Sequence, residues 1–148
     1  MLKVPFFEPW ITDSDKKSVV KSLDSRWLTN GPKLEVFEKK ISNFVNTKYA
    51  AGVGNATQAL HLALRSIDIK PGDEVLVPTL TFVATANAIR YCGAKPILVD
   101  IEQDTFNISV NDIIKKISKK TKAIIPVHYG GQACDMDDIM KIAKSKNL

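Results

Sequence analysis

Four apolar runs of strand-like length constrain the fold more than any other feature of the sequence. They lie at residues 49–53, 74–78, 96–100 and 122–128. The last three are almost continuously apolar, so they lack the alternation of polar and apolar residues that a strand with one solvent-exposed face shows. Strands that are buried on both faces have this pattern, as in a parallel sheet covered by helices. The runs therefore predict the strands of a mainly parallel sheet.

Helical patterns separate the apolar runs. Apolar side chains recur at three- and four-residue spacing between residues 59 and 67, and further helices are predicted over residues 82–91 and 136–143. Ser109 and Asp112 have the spacing of a capping box before another helix. Strands and helices that alternate at this spacing are typical of right-handed βαβ units. The predicted fold class is α/β, a three-layer α/β/α arrangement with a mainly parallel sheet.

Two more helices are predicted ahead of the first run. One covers residues 13–23, and the other begins at Pro32, a residue that suits the first helical position. We expect residues 1–45 to form a helical segment that packs on the main domain or on a partner subunit. Residues 46–148 then form the α/β domain. Because the chain stops directly after a helix, we expect a further strand and a larger parent protein.

Composition and charge bound the class of protein. The 148 residues are 45% hydrophobic and carry a formal net charge of +5. No apolar run approaches the ~20 residues that span a bilayer, and residues 1–5 lack the apolar stretch of a secretory signal. The lysines lie on helix-like segments without interleaved aromatic residues, which favours solvated helix faces over a nucleic-acid surface. Cys92 and Cys134 have no metal-ligand spacing, so we expect no metal and reduced thiols in a cytoplasmic protein.

The segment Gly54-Asn55-Ala56-Thr57-Gln58 joins the first apolar run to a predicted helix. Small residues and a hydroxyl before a helix place free backbone amides and the positive end of the helix dipole together, which favours a phosphate. An ordinary turn with Thr57 near the N-cap explains the same pattern equally well. A dinucleotide site is disfavoured, because no Gly-x-Gly-x-x-Gly follows a strand.

The ordered set of motifs resembles the DegT/DnrJ/EryC1/StrS sugar aminotransferases, a branch of the fold-type I pyridoxal-phosphate enzymes. The matching segments extend over almost the whole chain and include Trp27-Leu28-Thr29-Asn30-Gly31-Pro32, Gly54-Asn55-Ala56-Thr57-Gln58-Ala59-Leu60, Pro71-Gly72-Asp73-Glu74-Val75, Thr81-Phe82-Val83-Ala84-Thr85, Gly93-Ala94-Lys95-Pro96 and Pro126-Val127-His128. The resemblance implies an incomplete large domain of the aspartate-aminotransferase-like fold.

The resemblance also implies roles for individual residues. Ala56, Thr57 and Gln58 would cradle the phosphate of pyridoxal 5'-phosphate, with backbone amides of Thr57 and Gln58 and the Thr57 hydroxyl as donors. The family usually has Gly at the position of Ala56, whose methyl group narrows the approach of the backbone and excludes positive φ. Phe82 would stack on the pyridine ring, although a core phenylalanine at a strand-to-helix junction is the alternative.

His128 and Tyr129 end the last predicted strand, at the carboxyl edge where ligands gather in open α/β sheets. We expect them to border the substrate pocket, with a purely structural histidine as the alternative. Trp27 and the Gly31-Pro32 loop are expected to close over the site or to meet a second subunit.

The resemblance implies a homodimer that transfers an amino group, with glutamate as donor, to a nucleotide-linked keto-sugar in surface polysaccharide or amino-sugar biosynthesis. The family's Schiff-base lysine and the carboxylate beside the pyridine nitrogen both lie C-terminal to the matched segments. None of the lysines here stands in the family's lysine motif. We therefore expect no catalytic residue in this chain and no transamination by the chain alone. The alternative is a non-catalytic binding or assembly module derived from the family.

Overall fold

The computed structural model describes residue 5 and residues 7–148, which divide into two compact units, residues 1–52 and residues 53–148. We call these the N-terminal unit and the C-terminal unit. The sequence placed the boundary earlier, at residue 45, and the packing expected of the N-terminal segment stays a prediction. Residues 1–4, which belong to the stretch examined for a secretory signal, lie outside the described residues.

The N-terminal unit contains the two predicted helices, α1 (Asp13–Asp24) and α2 (Pro32–Phe44). A complete capping box begins α1. The Thr12 hydroxyl accepts a hydrogen bond from the Asp15 amide, and the Asp15 carboxylate accepts one from the Thr12 amide at 2.7 Å. Pro32 occupies the first turn of α2, as predicted.

The predicted strand at residues 49–53 is wrong, because this segment pairs with no strand among the described residues. The Gly52 amide instead donates to the Glu38 carboxylate at 2.7 Å. An apolar segment forms a strand only where its backbone can pair with another strand. Here the Gly52 amide is already bonded to a side chain and is not available for such pairing.

The C-terminal unit alternates helices and strands. In chain order its elements are α3 (Ala56–Ser66), β1 (Glu74–Pro78), α4 (Ala84–Tyr91), β2 (Lys95–Val99), α5 (Val110–Lys116), β3 (Thr121–Ile124) and α6 (Met136–Lys146). The three strands form a parallel sheet in the order β2-β1-β3, with Leu76 of β1 opposite Ile97 on one side and Ile124 on the other. The predicted parallel sheet is confirmed for these three strands.

Two hydrophobic clusters cover the two faces of the sheet. Val75 and Val77 of β1 pack with Leu64 of α3 and Ile89 of α4. Leu76, between those two valines, belongs to the opposite cluster, which includes residues of α5 and α6. Because neighbouring side chains of a strand point to opposite faces, the helices lie on both sides of the sheet. The three-layer α/β/α arrangement is confirmed.

Two local predictions need correction. β3 ends at Ile124, not at residue 128, because Pro126 has no amide to continue the ladder. Ser109 makes no side-chain capping bond to α5. The Asp112 carboxylate instead accepts a hydrogen bond from the Asp100 amide at 2.7 Å and pairs with Lys116 at 2.8 Å.

Both cysteines are buried and free, which agrees with the expected reduced thiols. Within residues 7–148, no helix has both the length and the apolar character that crossing a membrane would require.

Candidate active site

The turn before α3 is built by two reciprocal hydrogen bonds. Asn55 is the N-cap residue, with extended backbone, and its side-chain oxygen accepts from the Gln58 amide at 2.9 Å. The Gln58 side-chain oxygen in turn accepts from the Gly54 amide at 3.0 Å. The cap is therefore Asn55, and Thr57 lies near it in the first turn of α3, as the simpler sequence interpretation expected.

This cap decides which amides are free to bind an anion. The Gln58 amide, an expected phosphate donor, is already bonded to Asn55. Within residues 7–148, the amides of Ala56 and Thr57 have no hydrogen-bond acceptor, since the helical bonding of α3 begins at Ala59. These two amides and the half-exposed Thr57 hydroxyl stand at the positive end of an 11-residue helix. This arrangement could bind an anion, and phosphate binding here stays a prediction.

Ala56 does not distort this turn. It is the first residue of α3 and is not among the residues with positive φ. The conformation that its methyl group would exclude is therefore not the one that the backbone adopts here. The methyl group is exposed, so the remaining question at this position is how closely a ligand can approach.

Phe82 lies between β1 and α4 and is 77% exposed. Phe82 is therefore not part of the core that residues 7–148 form. The turn around it is held by the Thr85 amide, which donates to the Phe82 carbonyl at 3.0 Å, and by the Thr81 and Thr85 hydroxyls, 2.8 Å apart. An aromatic face held open on a fixed turn can stack on a flat, conjugated ligand.

The phosphate turn, Phe82 and His128 share one edge of the C-terminal unit. Phe82 follows the carboxyl end of β1, and His128 follows that of β3, which is parallel to β1. α3 packs on the sheet and its C-terminal end leads into β1, so its N-terminus lies toward the same edge. In open α/β sheets this is the edge where ligands bind.

His128 and Tyr129 lie in a structured loop after β3. The His128 side chain is exposed, and its Nδ1 accepts from the Cys134 amide at 3.0 Å. The Tyr129 ring packs edge-on against Phe106 with 5.7 Å between the ring centroids. One nitrogen of His128 therefore has a structural bond, as the alternative interpretation expected, while the ring remains open to solvent. Their contact with substrate stays a prediction.

Asn107 is a candidate site residue that the sequence did not indicate. It is 4% exposed, and its side chain bonds the backbone of Tyr129, Gln132 and Ala133. The available signal was an asparagine at the end of the strand-like hairpin after β2, but no pattern in the sequence links it to a loop more than twenty residues later. The pKa of the nearby Cys134 thiol is raised, chiefly by burial, so this thiol remains protonated.

The loop around Trp27 has its own local order within the N-terminal unit. The Trp27 indole donates to the Asn30 carbonyl at 2.6 Å. A Cβ atom on Gly31 would lie 2.5 Å from the same indole, so only glycine fits beneath the ring. Whether this loop closes over a site or meets a second subunit stays a prediction.

Comparison with known proteins identifies the family of the chain. The sequence model of the DegT/DnrJ/EryC1/StrS aminotransferase family matches residues 9–148. GDP-perosamine synthase of Escherichia coli O157:H7 is 47% identical over 149 aligned residues, which cover 100% of this chain and 41% of that protein. The spore coat polysaccharide biosynthesis protein SpsC of Bacillus subtilis is 43% identical, with 98% and 37% covered.

Solved structures give the same result. NtdA from Bacillus subtilis, with bound cofactor PMP, superposes with a TM-score of 0.88 at 36% identity, over 93% of this chain and 33% of that chain. This chain thus spans less than half the length of the relatives that it matches. The family match covers nearly every residue and the three-layer fold agrees, so the chain belongs to the DegT/DnrJ/EryC1/StrS aminotransferase family.

Proposed function

We propose that this chain supplies the phosphate-binding and ring-stacking part of a pyridoxal-phosphate-dependent sugar aminotransferase. The observation that carries the proposal is the pair of amides at Ala56 and Thr57 without an acceptor among residues 7–148, toward the same edge of the sheet as an exposed Phe82, in a chain of this family. The acceptor is a nucleotide-linked keto-sugar and the amino donor is glutamate.

The residues present fit two parts of pyridoxal phosphate, its phosphate group and its ring. The Ala56 and Thr57 amides and the Thr57 hydroxyl would hold the phosphate, because a helix N-terminus stabilises a dianion. Phe82 would hold the ring plane by stacking. When bound, the cofactor supplies an electron sink for exchanging the amino group. Gln58 contributes indirectly, because its side chain fixes the Gly54 amide and so shapes the turn.

The names of the relatives support the proposed substrate class. Three of them carry the name GDP-perosamine synthase, and another is named for polysaccharide biosynthesis. A GDP-linked keto-sugar is therefore the first substrate to test. His128 and Tyr129 would border it at the carboxyl edge of the sheet. We further propose a homodimer in the cytoplasm, where the buried thiols of Cys92 and Cys134 stay reduced.

The test is an assay of the purified protein that contains this chain, with pyridoxal phosphate, glutamate and a GDP-linked keto-sugar. We expect 2-oxoglutarate and an aminated sugar nucleotide, identified by mass. Thr57→Val removes one phosphate donor without changing side-chain shape and should weaken cofactor binding about tenfold. Ser66→Ala removes a hydroxyl at the opposite end of α3 and should leave cofactor binding unchanged.

Each negative result has a separate meaning. Cofactor binding without transfer to any nucleotide-linked keto-sugar would contradict the proposed reaction and favour the non-catalytic binding module. No cofactor binding at all, or equal binding by wild type and Thr57→Val, would contradict the proposed phosphate site.

A further inference from the structure

The loop from His128 to Cys134 is closed by hydrogen bonds between its own residues. The Cys134 amide donates to His128 Nδ1 at 3.0 Å, and the Gly131 amide donates to the His128 carbonyl at 3.1 Å. Gly130 and Gly131 have φ values of 60° and 85°, which the loop needs for its sharp reversal. The loop therefore has one defined conformation, in which the His128 ring is part of the hydrogen bonding.

Asn107 ties this loop to the rest of the C-terminal unit. Its Nδ2 donates to the Ala133 carbonyl at 3.0 Å and to the Gln132 carbonyl at 3.3 Å, while its Oδ1 accepts from the Tyr129 amide at 3.0 Å. All three partners are backbone groups with fixed donor or acceptor character, so the orientation of the amide is determined. One buried side chain thus holds both ends of the loop.

Asn107 is itself held in place by the segment before α5. Its carbonyl accepts from the Glu102 amide at 2.9 Å, and its amide donates to the Thr105 hydroxyl at 3.2 Å. An antiparallel bridge pairs Ile101 with Ile108 immediately beside it. Because the backbone of Asn107 is fixed, its side chain can hold the 128–134 loop in one position.

The bond to Cys134 also fixes the protonation of the His128 ring. An Nδ1 that accepts a hydrogen bond carries no proton, so the neutral ring must carry its proton on Nε2. Within residues 7–148, no acceptor contacts this Nε2–H, and the ring is exposed. In this tautomer, His128 presents its Nε2–H to solvent at the edge of the sheet where ligands bind.

We propose that Asn107 is a positioning residue, which holds His128 as an Nε2–H donor to an oxygen atom of the sugar nucleotide. The inference rests on the proposed function, since it names the group that His128 offers to that substrate. Loss of the Asn107 side chain frees the 128–134 loop, the Cys134 amide leaves Nδ1, and the proton then distributes over both ring nitrogens.

The primary test measures the His128 tautomer and needs no substrate. Protein labelled with ¹⁵N at histidine is studied by NMR, and His128 is assigned by the loss of its signals in His128→Gln. We expect wild type to show the Nε2–H tautomer alone and Asn107→Ala to show both tautomers. His61, which packs against Tyr91 at 5.7 Å, should be unchanged and reports that the variant is folded.

Two further variants keep the test decisive. Asn107→Asp retains the shape and the acceptor for Tyr129 but loses both donated bonds, so it should also show both tautomers if Asn107→Ala does not fold. Asn111→Ala removes an exposed asparagine from α5 and should behave as wild type. A single Nε2–H tautomer in a folded Asn107 variant would overturn the proposal, as would a wild-type His128 protonated on Nδ1.

Kinetics then separate the positioning role from a general structural role. In the active protein, Asn107→Ala should raise KM for the sugar nucleotide about tenfold, the effect of one lost hydrogen bond. Affinity for pyridoxal phosphate should not change. An unchanged KM would overturn the role toward substrate. Absence of aminotransferase activity in wild type would overturn the proposed function instead, and the NMR result would still decide the arrangement of His128.

Discussion

The two units of this protein bury their apolar side chains to very different extents. Every buried hydrophobic residue in the described part of the chain lies at Leu64 or beyond, in the C-terminal unit. In the N-terminal unit, α1 has no buried residue and α2 has only Ser42. Large apolar side chains there are open to solvent, with Trp10 90% and Phe44 88% exposed.

The difference indicates that the units are stabilised by different means. The C-terminal unit gains its stability from burial on both faces of a sheet, the dominant favourable term in folding. The helices of the N-terminal unit rely on local features, such as the Thr12 capping box and Pro32 at the first turn. Short helices held by local features alone are marginal in water. We therefore expect the apolar faces of α1 and α2 to need a partner surface.

The largest expected effect comes from truncating the core. Leu76 is fully buried at the centre of the sheet, so Leu76→Ala should lower the free energy of unfolding by about 2–5 kcal/mol. Phe44→Ala, at a site that is mostly exposed, should change it by no more than about 0.5 kcal/mol. Urea unfolding followed by far-UV circular dichroism measures both.

One result would contradict this contrast between the two units. A loss at Phe44→Ala as large as that at Leu76→Ala would show that Phe44 is covered in solution, by another segment or another copy. Trp10 and Trp27 are the only tryptophans in the chain, and both lie in the N-terminal unit. Their fluorescence should therefore report that unit separately from the hydrogen exchange of β1, β2 and β3.

More of the C-terminal unit than of the N-terminal unit could be predicted from the sequence, because the apolar pattern of its sequence agrees with how its side chains pack. Continuous apolar runs identified all three strands, and their alternation with helices gave the layered fold. The run at residues 49–53 is also apolar but pairs with no strand among the described residues, and its Gly52 amide is bonded to the Glu38 carboxylate, a side-chain contact that no local pattern can reveal. The helices α1 and α2 were predicted because their start signals are local.

The second prediction compares the two helix caps. Thr12→Ala in the N-terminal unit and Asn55→Ala in the C-terminal unit each remove an N-cap side chain, which costs about 1 kcal/mol of local stability. In α1 the loss should speed hydrogen exchange along the whole helix, because no buried residue holds it. In α3 it should speed exchange only in the first turn, because Leu64 anchors the rest. Residue-resolved exchange measures both.

Uniform exchange along α3 in Asn55→Ala would contradict the anchoring role of the core. A response confined to the first turn of α1 in Thr12→Ala would show that α1 is held by contacts in solution. Gln58→Glu is a useful control, because it keeps an oxygen acceptor for the Gly54 amide and so should preserve the turn.

The candidate site could be predicted only in part from the sequence. Thr57 and Phe82 could be named as candidates because the turn before α3 and the aromatic residue before a helix are local motifs, and their contacts with a cofactor stay predictions. The Gln58 amide, expected to be a free donor, is bonded to Asn55, because the capping side chain depends on geometry that sequence spacing does not fix. Asn107 was missed because its partners lie on a distant loop. Long-range side-chain bonds have no sequence period by which to recognise them.

The smallest expected effect is the loss of stability in acid. One carboxylate in each unit, Asp112 and Asp15, allows the two units to be compared. The Asp100 amide, and then Lys116, lower the pKa of Asp112 below its usual value of about 3.9. The Thr12 hydroxyl and amide lower that of Asp15. A lowered folded-state pKa means that the carboxylate's contribution to stability is complete above the unfolded-state value of about 4 and is lost as pH falls through the folded-state value.

Asp112 joins α5 to the end of β2, whereas Asp15 only caps an exposed helix, so protonation should matter more in the C-terminal unit. Asp112→Asn should therefore make the free energy of unfolding depend less on pH below about pH 4. Asp15→Asn should leave this acid dependence unchanged, but it should alter the pH dependence of hydrogen exchange in α1. The same acid dependence in wild type and Asp112→Asn would contradict this role. An equal reduction by Asp15→Asn would mean that the capping box of α1 is coupled to the folding of the sheet, and the two units would then unfold as one.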